Sequence, residues 1–285
     1  MKKILVAAIL AVSIASGNLE TSSRAASPAR AKRYARYYLG FDRNIYPGDA
    51  ELARLSHTFR FGGYWLNVPQ GLKENTWAGK RKMFIGDGLG FLVLFSGRPS
   101  QELKVSANAA ALGTSDGGEA VQRAKRESFP KATIIFLDVE EGGRMLRYQQ
   151  DYILAWVDAV NAGNYRAGIY CSGIPVAEEG GVITAEDIRA HGGARKIVFW
   201  VYNDSCPPSP GCAFPKFPPA PSASGVAFAD VWQFAQSPRR SGLTERCATS
   251  YSADGKCYPP GSTAGSGVFV DLDSASSADP SRGKT

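Results

Sequence analysis

Short apolar runs, each followed by polar residues, recur along most of the chain. Eight of them predict β-strands, because they are rich in β-branched and aromatic residues and contain no proline. These strands are expected at residues 37–42, 59–67, 90–95, 132–140, 165–171, 196–202, 230–235 and 267–273. Helical spacing or helix-forming composition between several of them predicts helices at residues 77–83, 115–128, 146–160 and 185–190.

Eight strands with helices between them favour an α/β fold, a single closed (β/α)₈ barrel of the TIM type. An eight-stranded open sheet is the alternative. Long irregular segments at 203–224 and 237–266 are expected to be loops after strands six and seven. The barrel domain should span residues 27–285, with a frayed polar tail from residue 274. The glycine-rich stretch 86–90 precedes a strand and opens no helix, so it is not a dinucleotide-binding motif, and no cofactor is expected.

The first residues are typical of an export signal. Lys2 and Lys3 precede an apolar stretch at 4–12, and small residues at 13–17 suit a cleavage site. We therefore interpret residues 1–26 as a signal peptide and the start of a linker. Because no later stretch is long and apolar enough to span a bilayer, we expect an exported protein, periplasmic or extracellular, without stable membrane insertion.

The formal net charge of +7 makes the chain modestly basic. The basic residues are scattered, and aromatic residues do not alternate with them as they do in a nucleic-acid-binding groove. Composition therefore argues against nucleic acid as a partner.

Five cysteines divide into two close pairs and a single residue. Cys206 and Cys212 flank a proline-rich loop, and Cys247 and Cys257 flank a polar one. In an oxidising compartment this spacing predicts two local disulfides, although the sequence does not exclude crossed pairings. Cys171 lies in an apolar strand and is expected to be a buried free thiol. No His or Cys pair has the spacing of a metal site, so no metal is predicted.

Polar and aromatic residues fall at the ends of the predicted strands, where barrels of this type carry their chemistry. The residues at these ends are Asp42, Asn67, Asp138, Glu140, Tyr170, Trp200, Tyr202, Gln233, Asp271 and Asp273. Asp138 and Glu140 are two residues apart, so on one strand both would point to the same face. Aromatic rings bind the apolar faces of sugars, and paired carboxyl groups cleave glycosidic bonds. For Asp273 we favour an outward position or an arginine partner, and Trp200 and Tyr202 suit the core as well as a sugar-binding platform.

Several of these residues belong to motifs that together resemble a known family. The motifs are Gly40-Phe-Asp42, Phe136-Leu-Asp-Val-Glu140, Gly168-Ile-Tyr-Cys-Ser172, Val231-Trp-Gln-Phe234 and Val270-Asp-Leu-Asp273. Over residues 36–282 they resemble the glycoside-hydrolase-like domain of secreted bacterial proteins known as domain of unknown function 1906. That family is similar to the family 25 lysozymes, whose barrels cleave the link between muramic acid and glucosamine in peptidoglycan.

The resemblance implies a role for each matching residue. Glu140 would be the general acid, and Asp138 would position or stabilise a charged intermediate with support from Asp42 and Asp271. Independently of the resemblance, their positions at the strand ends make Asn67, Tyr170, Trp200, Tyr202 and Gln233 the expected substrate-binding residues. The sequence departs from the lysozyme pattern at Phe234, where the lysozymes have Tyr, and in the cysteine-containing loops.

These features favour a glycoside hydrolase of the muramidase type that acts on peptidoglycan or a related amino-sugar glycan. A catalytically silent glycan-binding module of the cell envelope is the first alternative. An envelope protein in which the acidic cluster is only a hydrogen-bonded core is the second.

Overall fold

The computed structural model describes residues 36–177 and 180–284 of the 285-residue chain. The predicted signal peptide at 1–26 lies outside the described residues, as does the linker up to residue 35. Within the described part the chain forms a barrel of eight strands with helices around it. The predicted α/β barrel is therefore confirmed, and the open sheet is excluded.

The strands follow one another around the barrel in chain order. They are β1 (Tyr38–Asp42), β2 (Phe61–Trp65), β3 (Gly90–Ser96), β4 (Ile134–Asp138), β5 (Arg166–Ser172), β6 (Val198–Tyr202), β7 (Val231–Ala235) and β8 (Asp271–Ala275). The first seven are parallel, but β8 pairs antiparallel with both β7 and β1. This direction differs from the all-parallel barrel that the TIM-type prediction implies.

The eighth strand is also displaced along the chain from its predicted position. The prediction placed it at 267–273, whereas β8 begins at Asp271 and continues through Ser274 and Ala275, both buried. Residues 267–270 form the approach to the strand. An apolar run predicts that a segment is buried, but it does not predict the direction of the strand. Here the run begins before Asp271, the first residue of β8, and continues beyond it.

Six α-helices of the described residues pack around the barrel. They are α1 (Asp49–Leu55), α2 (Arg81–Gly86), α3 (Ser100–Val105), α4 (Ala109–Arg126), α5 (Arg147–Ala162) and α6 (Thr184–His191). The Asn108 side chain caps α4 by accepting from the Ala111 amide at 2.9 Å, so this helix begins six residues before its predicted start. At Gly113 a Cβ would lie 2.1 Å from the Tyr152 carbonyl oxygen, so glycine permits the close packing of α4 on α5. No helix among the described residues has the length and apolar character needed to cross a bilayer.

Aromatic side chains and glycines fill the barrel interior together. A Cβ at Gly40 would lie 1.9 Å from the Phe61 ring, and a Cβ at Gly168 would lie 2.4 Å from the Phe136 ring. Phe136 in turn packs edge-on against Trp200, with ring centroids 5.8 Å apart. The glycines on β1 and β5 thus make room for large rings from neighbouring strands.

The long loops after β6 and β7 cover the part of the barrel that lacks α-helices. The Asn203 carbonyl accepts from Trp232 Nε1 at 2.9 Å, which ties the first loop to β7. Phe214 of the same loop packs against Phe59, with centroids 6.2 Å apart. Among the described residues these loops contain only two short 3₁₀ helices, Pro221–Ser224 and Glu245–Ser250. Irregular chain therefore supplies the outer layer here.

Two disulfides join these loops to each other. Cys206 bonds to Cys247, and Cys212 bonds to Cys257. The four predicted cysteines are disulfide-bonded, but the predicted local pairing is wrong. The loops pack side by side, so the cysteines nearest in space lie on different loops. Cys171 is free and buried, as predicted.

The C-terminal tail closes the opposite end of the barrel. Ser281 is fully buried: its carbonyl accepts from the Ile134 amide at 2.8 Å, and its Oγ accepts from the Val93 amide at 2.8 Å. Asp279 accepts from the Phe91 amide at 2.9 Å. The expectation of a frayed tail is therefore wrong, because the first residues of β3 and β4 need hydrogen-bond partners that the tail provides.

The disulfide pairing can be tested by removing one cysteine. In a Cys206→Ala variant we expect Cys247 to become a free thiol, detected by alkylation of the unreduced, denatured protein followed by peptide mass mapping. The lost cross-link spans a sequence separation of 41 residues. Chain entropy predicts a fall in the free energy of unfolding of about 4 kcal/mol. Cys171 should be alkylated in both proteins and is the internal control, whereas alkylation of Cys212 would support local pairing.

Candidate active site

Carboxyl groups gather at the barrel end where β1 to β7 finish. Asp42 is the last residue of β1, and Asp138 is the last residue of β4. Asp271 is the first residue of β8 and stands opposite Asp42, because β8 runs in the other direction. The charge of Glu140 acts on Asp42, and the charge of Asp42 acts on Asp138 and Asp271. The structure therefore brings the four predicted catalytic carboxyls into one cluster.

Asp138 and Glu140 form a pair of interacting carboxyl groups. Strand β4 ends at Asp138, so Glu140 lies in the following loop and not on the strand as predicted; nevertheless the two carboxyl groups are hydrogen-bonded. Burial, followed by the charge of Glu140, raises the pKa of Asp138 well above its usual range. Burial also raises the pKa of Glu140, but the hydrogen bond from Asp138 opposes this rise. Burial and the neighbouring charge thus favour the protonated form of Asp138, while Glu140 remains accessible to solvent.

Asp42 and Asp273 form a second carboxyl pair deeper in the barrel. Asp273 is fully buried and accepts from Trp200 Nε1 at 3.0 Å, and its carboxyl is hydrogen-bonded to Asp42. Burial, followed by the charge of Asp42, raises the pKa of Asp273 well above its usual range. Burial raises the pKa of Asp42 to about 6, against the hydrogen bonds from Gln233 and Asp273. The expectation that Asp273 faces outward or pairs with an arginine is wrong.

A chain of side-chain hydrogen bonds fixes the orientation of Asp42. Gln233 Nε2 donates to Asp42 Oδ2 at 2.7 Å, and the Tyr170 hydroxyl donates to Gln233 Oε1 at 2.7 Å. Gln236 Nε2 donates to both Tyr170 Oη and Gln233 Oε1, at 3.1 and 2.8 Å. Gln236 was not predicted to belong to the site, although it lies only three residues after Gln233, which was. Gln233 thus donates to the Asp42 carboxylate and is itself held in place by Tyr170 and Gln236.

The predicted aromatic residues occupy different depths. Trp200 is fully buried, so in this conformation it acts on the site only through its hydrogen bond to Asp273. The Tyr170 ring packs on Trp200 and Tyr202, with centroids 4.7 and 5.4 Å apart. The Tyr202 hydroxyl donates to the Glu140 carbonyl at 3.4 Å and so holds the loop that carries this residue.

Asn67 lies on the rim of the same barrel end, with both polar groups engaged. Its Nδ2 donates to the Ser96 carbonyl at 3.1 Å, and its Oδ1 accepts from the Ser96 amide at 2.7 Å. The Asn67 side chain therefore extends the pairing of β2 with β3 beyond the last residue of β2.

Arg240 stands over the site and was not predicted to belong to it. It forms a bidentate ion pair with the fully buried Asp204, in which Nε donates to Oδ2 at 3.1 Å and Nη2 donates to Oδ1. The guanidinium lies 4.9 Å from the centre of the Tyr202 ring. Its positive charge also lowers the pKa of Glu140, against the effect of burial. In the sequence Arg240 is only one of the scattered basic residues.

The site offers carboxyl chemistry. Among the described residues no three His, Cys, Asp or Glu side chains are arranged to hold a metal ion. Burial raises the pKa of the Cys171 thiol, so this cysteine is unsuited to act as a nucleophile. The arrangement can therefore donate and accept protons and stabilise positive charge.

Residues 67–201 match the model of a family described as Rv2525c-like, glycoside hydrolase-like domain. This match confirms the resemblance to a glycoside-hydrolase-like family. The matched segment contains Asp138 and Glu140, whereas Asp42, Gln233 and Asp271 lie outside it. No curated protein matches the chain.

Several solved structures resemble the barrel. The spore cortex lytic enzyme SleM from Clostridium perfringens has 16% identity and a TM-score of 0.50, with 85% of this chain and 68% of that chain covered. An uncharacterized protein from B. stearothermophilus has 20% identity and a TM-score of 0.49, with 83% and 94% covered. The Tat-secreted protein Rv2525c from Mycobacterium tuberculosis has 12% identity and a TM-score of 0.45, with 84% and 95% covered. The likeness to SleM supports the barrel fold.

The raised pKa of Asp42 predicts a pH-dependent stability cost. Burial raises this pKa from 3.8 to about 6, so the folded protein holds the Asp42 proton more tightly than the unfolded chain does. The tighter binding of this proton contributes to the free energy of unfolding. The contribution is complete below about pH 4 and is lost as the pH rises through 6. We expect Asp42→Asn, which cannot ionise, to increase the free energy of unfolding at pH 7.5 by up to about 3 kcal/mol. Urea denaturation should show this gain shrinking toward zero at pH 4.

Asp151→Asn on α5, at a half-buried position that pairs with the exposed Arg147, is the matched control, and we expect it to change stability by less than about 0.5 kcal/mol at either pH. A gain for Asp42→Asn that is equal at both pH values, or a loss at pH 7.5, would contradict the assigned cost of ionisation.

Proposed function

We propose that this chain is an exported glycoside hydrolase that acts on peptidoglycan or a related amino-sugar glycan. The observation that carries the proposal is the hydrogen-bonded carboxyl pair Asp138–Glu140 at the end of the barrel, beside Asp42 and Asp271. Glycosidic cleavage requires a proton for the leaving oxygen and negative charge for the positive sugar centre, and this cluster supports both.

Glu140 is the general acid in this proposal, and Asp138 is the group that supplies and positions its proton. Glu140 is the member of the pair that solvent reaches, so it can contact a glycosidic oxygen. A bound sugar would displace water from Glu140 and raise its pKa further, which would shift the shared proton from Asp138 toward Glu140. The pair would then act as an acid when substrate is present.

Asp42 is the group that would stabilise developing positive charge, and Asp271, whose pKa burial raises well above its usual range, would support it. Burial raises the pKa of Asp42 only to about 6, so this carboxyl is mostly ionised at neutral pH, whereas the pKa of Asp138 is raised well above its usual range. The environments of these residues thus separate one acid from one carboxylate, which is the division of roles that glycosidases use. Gln233 and Asp273 would hold Asp42 in place.

The comparisons support this class of reaction. The family model is described as glycoside hydrolase-like, and its match includes Asp138 and Glu140. SleM is by name a lytic enzyme of the spore cortex. The Asp-x-Glu motif and the Asp42 motif also resemble those of the family 25 lysozymes, which act on peptidoglycan.

Export is part of the same proposal. The two disulfides link loops that are far apart in sequence, and such bonds persist in oxidising compartments. The predicted signal peptide agrees with a location in the periplasm or outside the cell, where a cell-wall glycan would be available.

A glycan-binding barrel without turnover is the second candidate. It is favoured by the way in which the carboxyls interact with one another, Asp138 with Glu140 and Asp273 with Asp42. Such pairs could stabilise the barrel and orient sugar hydroxyls without transferring a proton to a substrate. Hydrolysis must therefore be measured directly.

Replacement of the acid tests the proposal. We expect the wild-type protein to release reducing ends from purified peptidoglycan, and Glu140→Gln to lower this rate at least about a hundredfold. The amide keeps the size of the side chain but carries no acidic proton. A reducing-sugar assay at several enzyme concentrations gives the rates, and circular dichroism checks that both proteins are folded.

Glu141→Gln is the matched control, because it makes the same change at the next residue. Glu141 Oε1 accepts from the Ser100 amide at 2.6 Å, and a glutamine oxygen can keep this bond. We expect Glu141→Gln to retain most of the activity. Full activity of Glu140→Gln would refute the assignment of the acid, and absence of release by the wild type would favour the binding module.

A further inference from the structure

A cavity of about 280 Å³ adjoins the acidic cluster at the same end of the barrel. Asp271 belongs to both, since it lines the cavity and interacts with Asp42. The side chains of Ile45, Leu72 and Phe269 give the cavity apolar walls. Because the cavity and the cluster share Asp271, a sugar chain in the cluster could place one of its units in the cavity.

Arg43 supplies the positive charge in this cavity. Asp271 and Glu51 act on it through their charges, but its guanidinium forms no hydrogen-bonded ion pair among the described residues. Its Nε and Nη1 are buried and make no hydrogen bond within the part of the chain that the structure describes. The guanidinium lies 5.7 Å from the centroid of the Phe269 ring. Asp271 interacts with Arg43 through its charge, but Asp271 Oδ1 accepts from the Ser237 amide at 2.5 Å.

The contrast with Arg240 shows what Arg43 is missing. Both arginines flank the acidic cluster, but Arg240 holds the buried Asp204 through two hydrogen bonds. A half-buried guanidinium without such a partner costs free energy, since it has lost water and gained no carboxylate. Arg43 lines the same cavity as Asp271, so the fold maintains this charge next to the acidic cluster.

We propose that this cavity is a subsite for an oxyanion substituent of the glycan, a carboxylate or a phosphate, and that Arg43 is the residue that recognises it. The fork of guanidinium N–H groups matches two oxygens of either group, and the apolar walls suit the face of the sugar ring that carries it. Arg43 is thereby a specificity-determining residue that selects acidic over neutral sugars. The inference rests on the proposed function in that it takes the ligand to be a glycan, but it requires no turnover.

Binding to a turnover-deficient protein tests the inference separately from hydrolysis. Isothermal titration calorimetry of the full chain carrying Glu140→Gln would use four probes. They are the disaccharide of N-acetylglucosamine and N-acetylmuramic acid, its methyl ester, chitobiose 6-phosphate and chitobiose. We expect at least one anionic probe to bind about tenfold to a hundredfold more tightly than its neutral counterpart, the gain typical of a charge-assisted hydrogen-bonded pair. The two anionic probes distinguish a carboxylate from a phosphate.

Adding Arg43→Gln should remove this preference and leave the affinity for the neutral probes unchanged. Arg43→Lys keeps the charge without the fork and should retain part of the preference, so it also serves if Arg43→Gln fails to fold. Arg147→Gln, at an exposed position of α5 that is paired with Asp151, is the matched control and should leave all four affinities unchanged.

The possible outcomes separate the two proposals. The subsite is overturned if the Glu140→Gln protein with Arg43 intact prefers neither anionic probe, or if it binds none of the four probes. An equal loss of neutral and anionic binding in Arg43→Gln also overturns it, because that result indicates a structural role. An arginine-dependent preference in a chain that hydrolyses no glycan would support the subsite while the hydrolase proposal fails.

Discussion

The antiparallel β8 closes the barrel between β7 and β1, and the acidic cluster depends on that closure. Asp271 and Asp273 stand opposite Asp42 and Gly40 in this pairing, so one strand delivers two carboxyls to the interior beside β1. A strand with these bounds that ran in the other direction would begin at the opposite end of the barrel and carry Asp271 away from Asp138. The direction and the bounds of this strand together thus decide whether the carboxyls meet.

Bringing these carboxyls together in a buried volume has an electrostatic cost that protons and nearby donors offset. Like charges that are close together in a protein interior repel strongly, so burial and the neighbouring charges raise the pKa of Asp138 and of Asp273 well above their usual range. The remaining charge on Asp42 is met by Gln233, which Tyr170 and Gln236 hold in position. An acidic core of this kind is less stable near neutral pH than a neutral one would be, and this cost is common where a site serves function.

The periodicity of the sequence was sufficient to predict the barrel and the meeting of Asp42 with Asp138, because both residues follow apolar strands of the same direction. The periodicity could not predict the direction of β8, since the pattern of an apolar run is the same for a parallel and an antiparallel strand. Asp271 was therefore placed correctly from a strand with the wrong bounds, whereas Asp273 was expected on the wrong side. Local hydropathy also does not indicate which loops pack against each other. The disulfide partners and the role of Arg240 could therefore be identified only from the structure.

The loops after β6 and β7 connect the stability of the barrel with the geometry of the site. They cover strands that no α-helix covers in the described part of the chain, and disulfides 206–247 and 212–257 fix them to each other. Asp204 on one loop and Arg240 on the other form an ion pair in which Asp204 is fully buried. The Arg240 guanidinium also lies over the Tyr202 ring, and its charge lowers the pKa of Glu140. Irregular chain can hold a guanidinium in one place only if its own entropy is restricted, which the two cross-links accomplish. The same cross-links that complete the outer layer therefore set the electrostatic environment of Glu140.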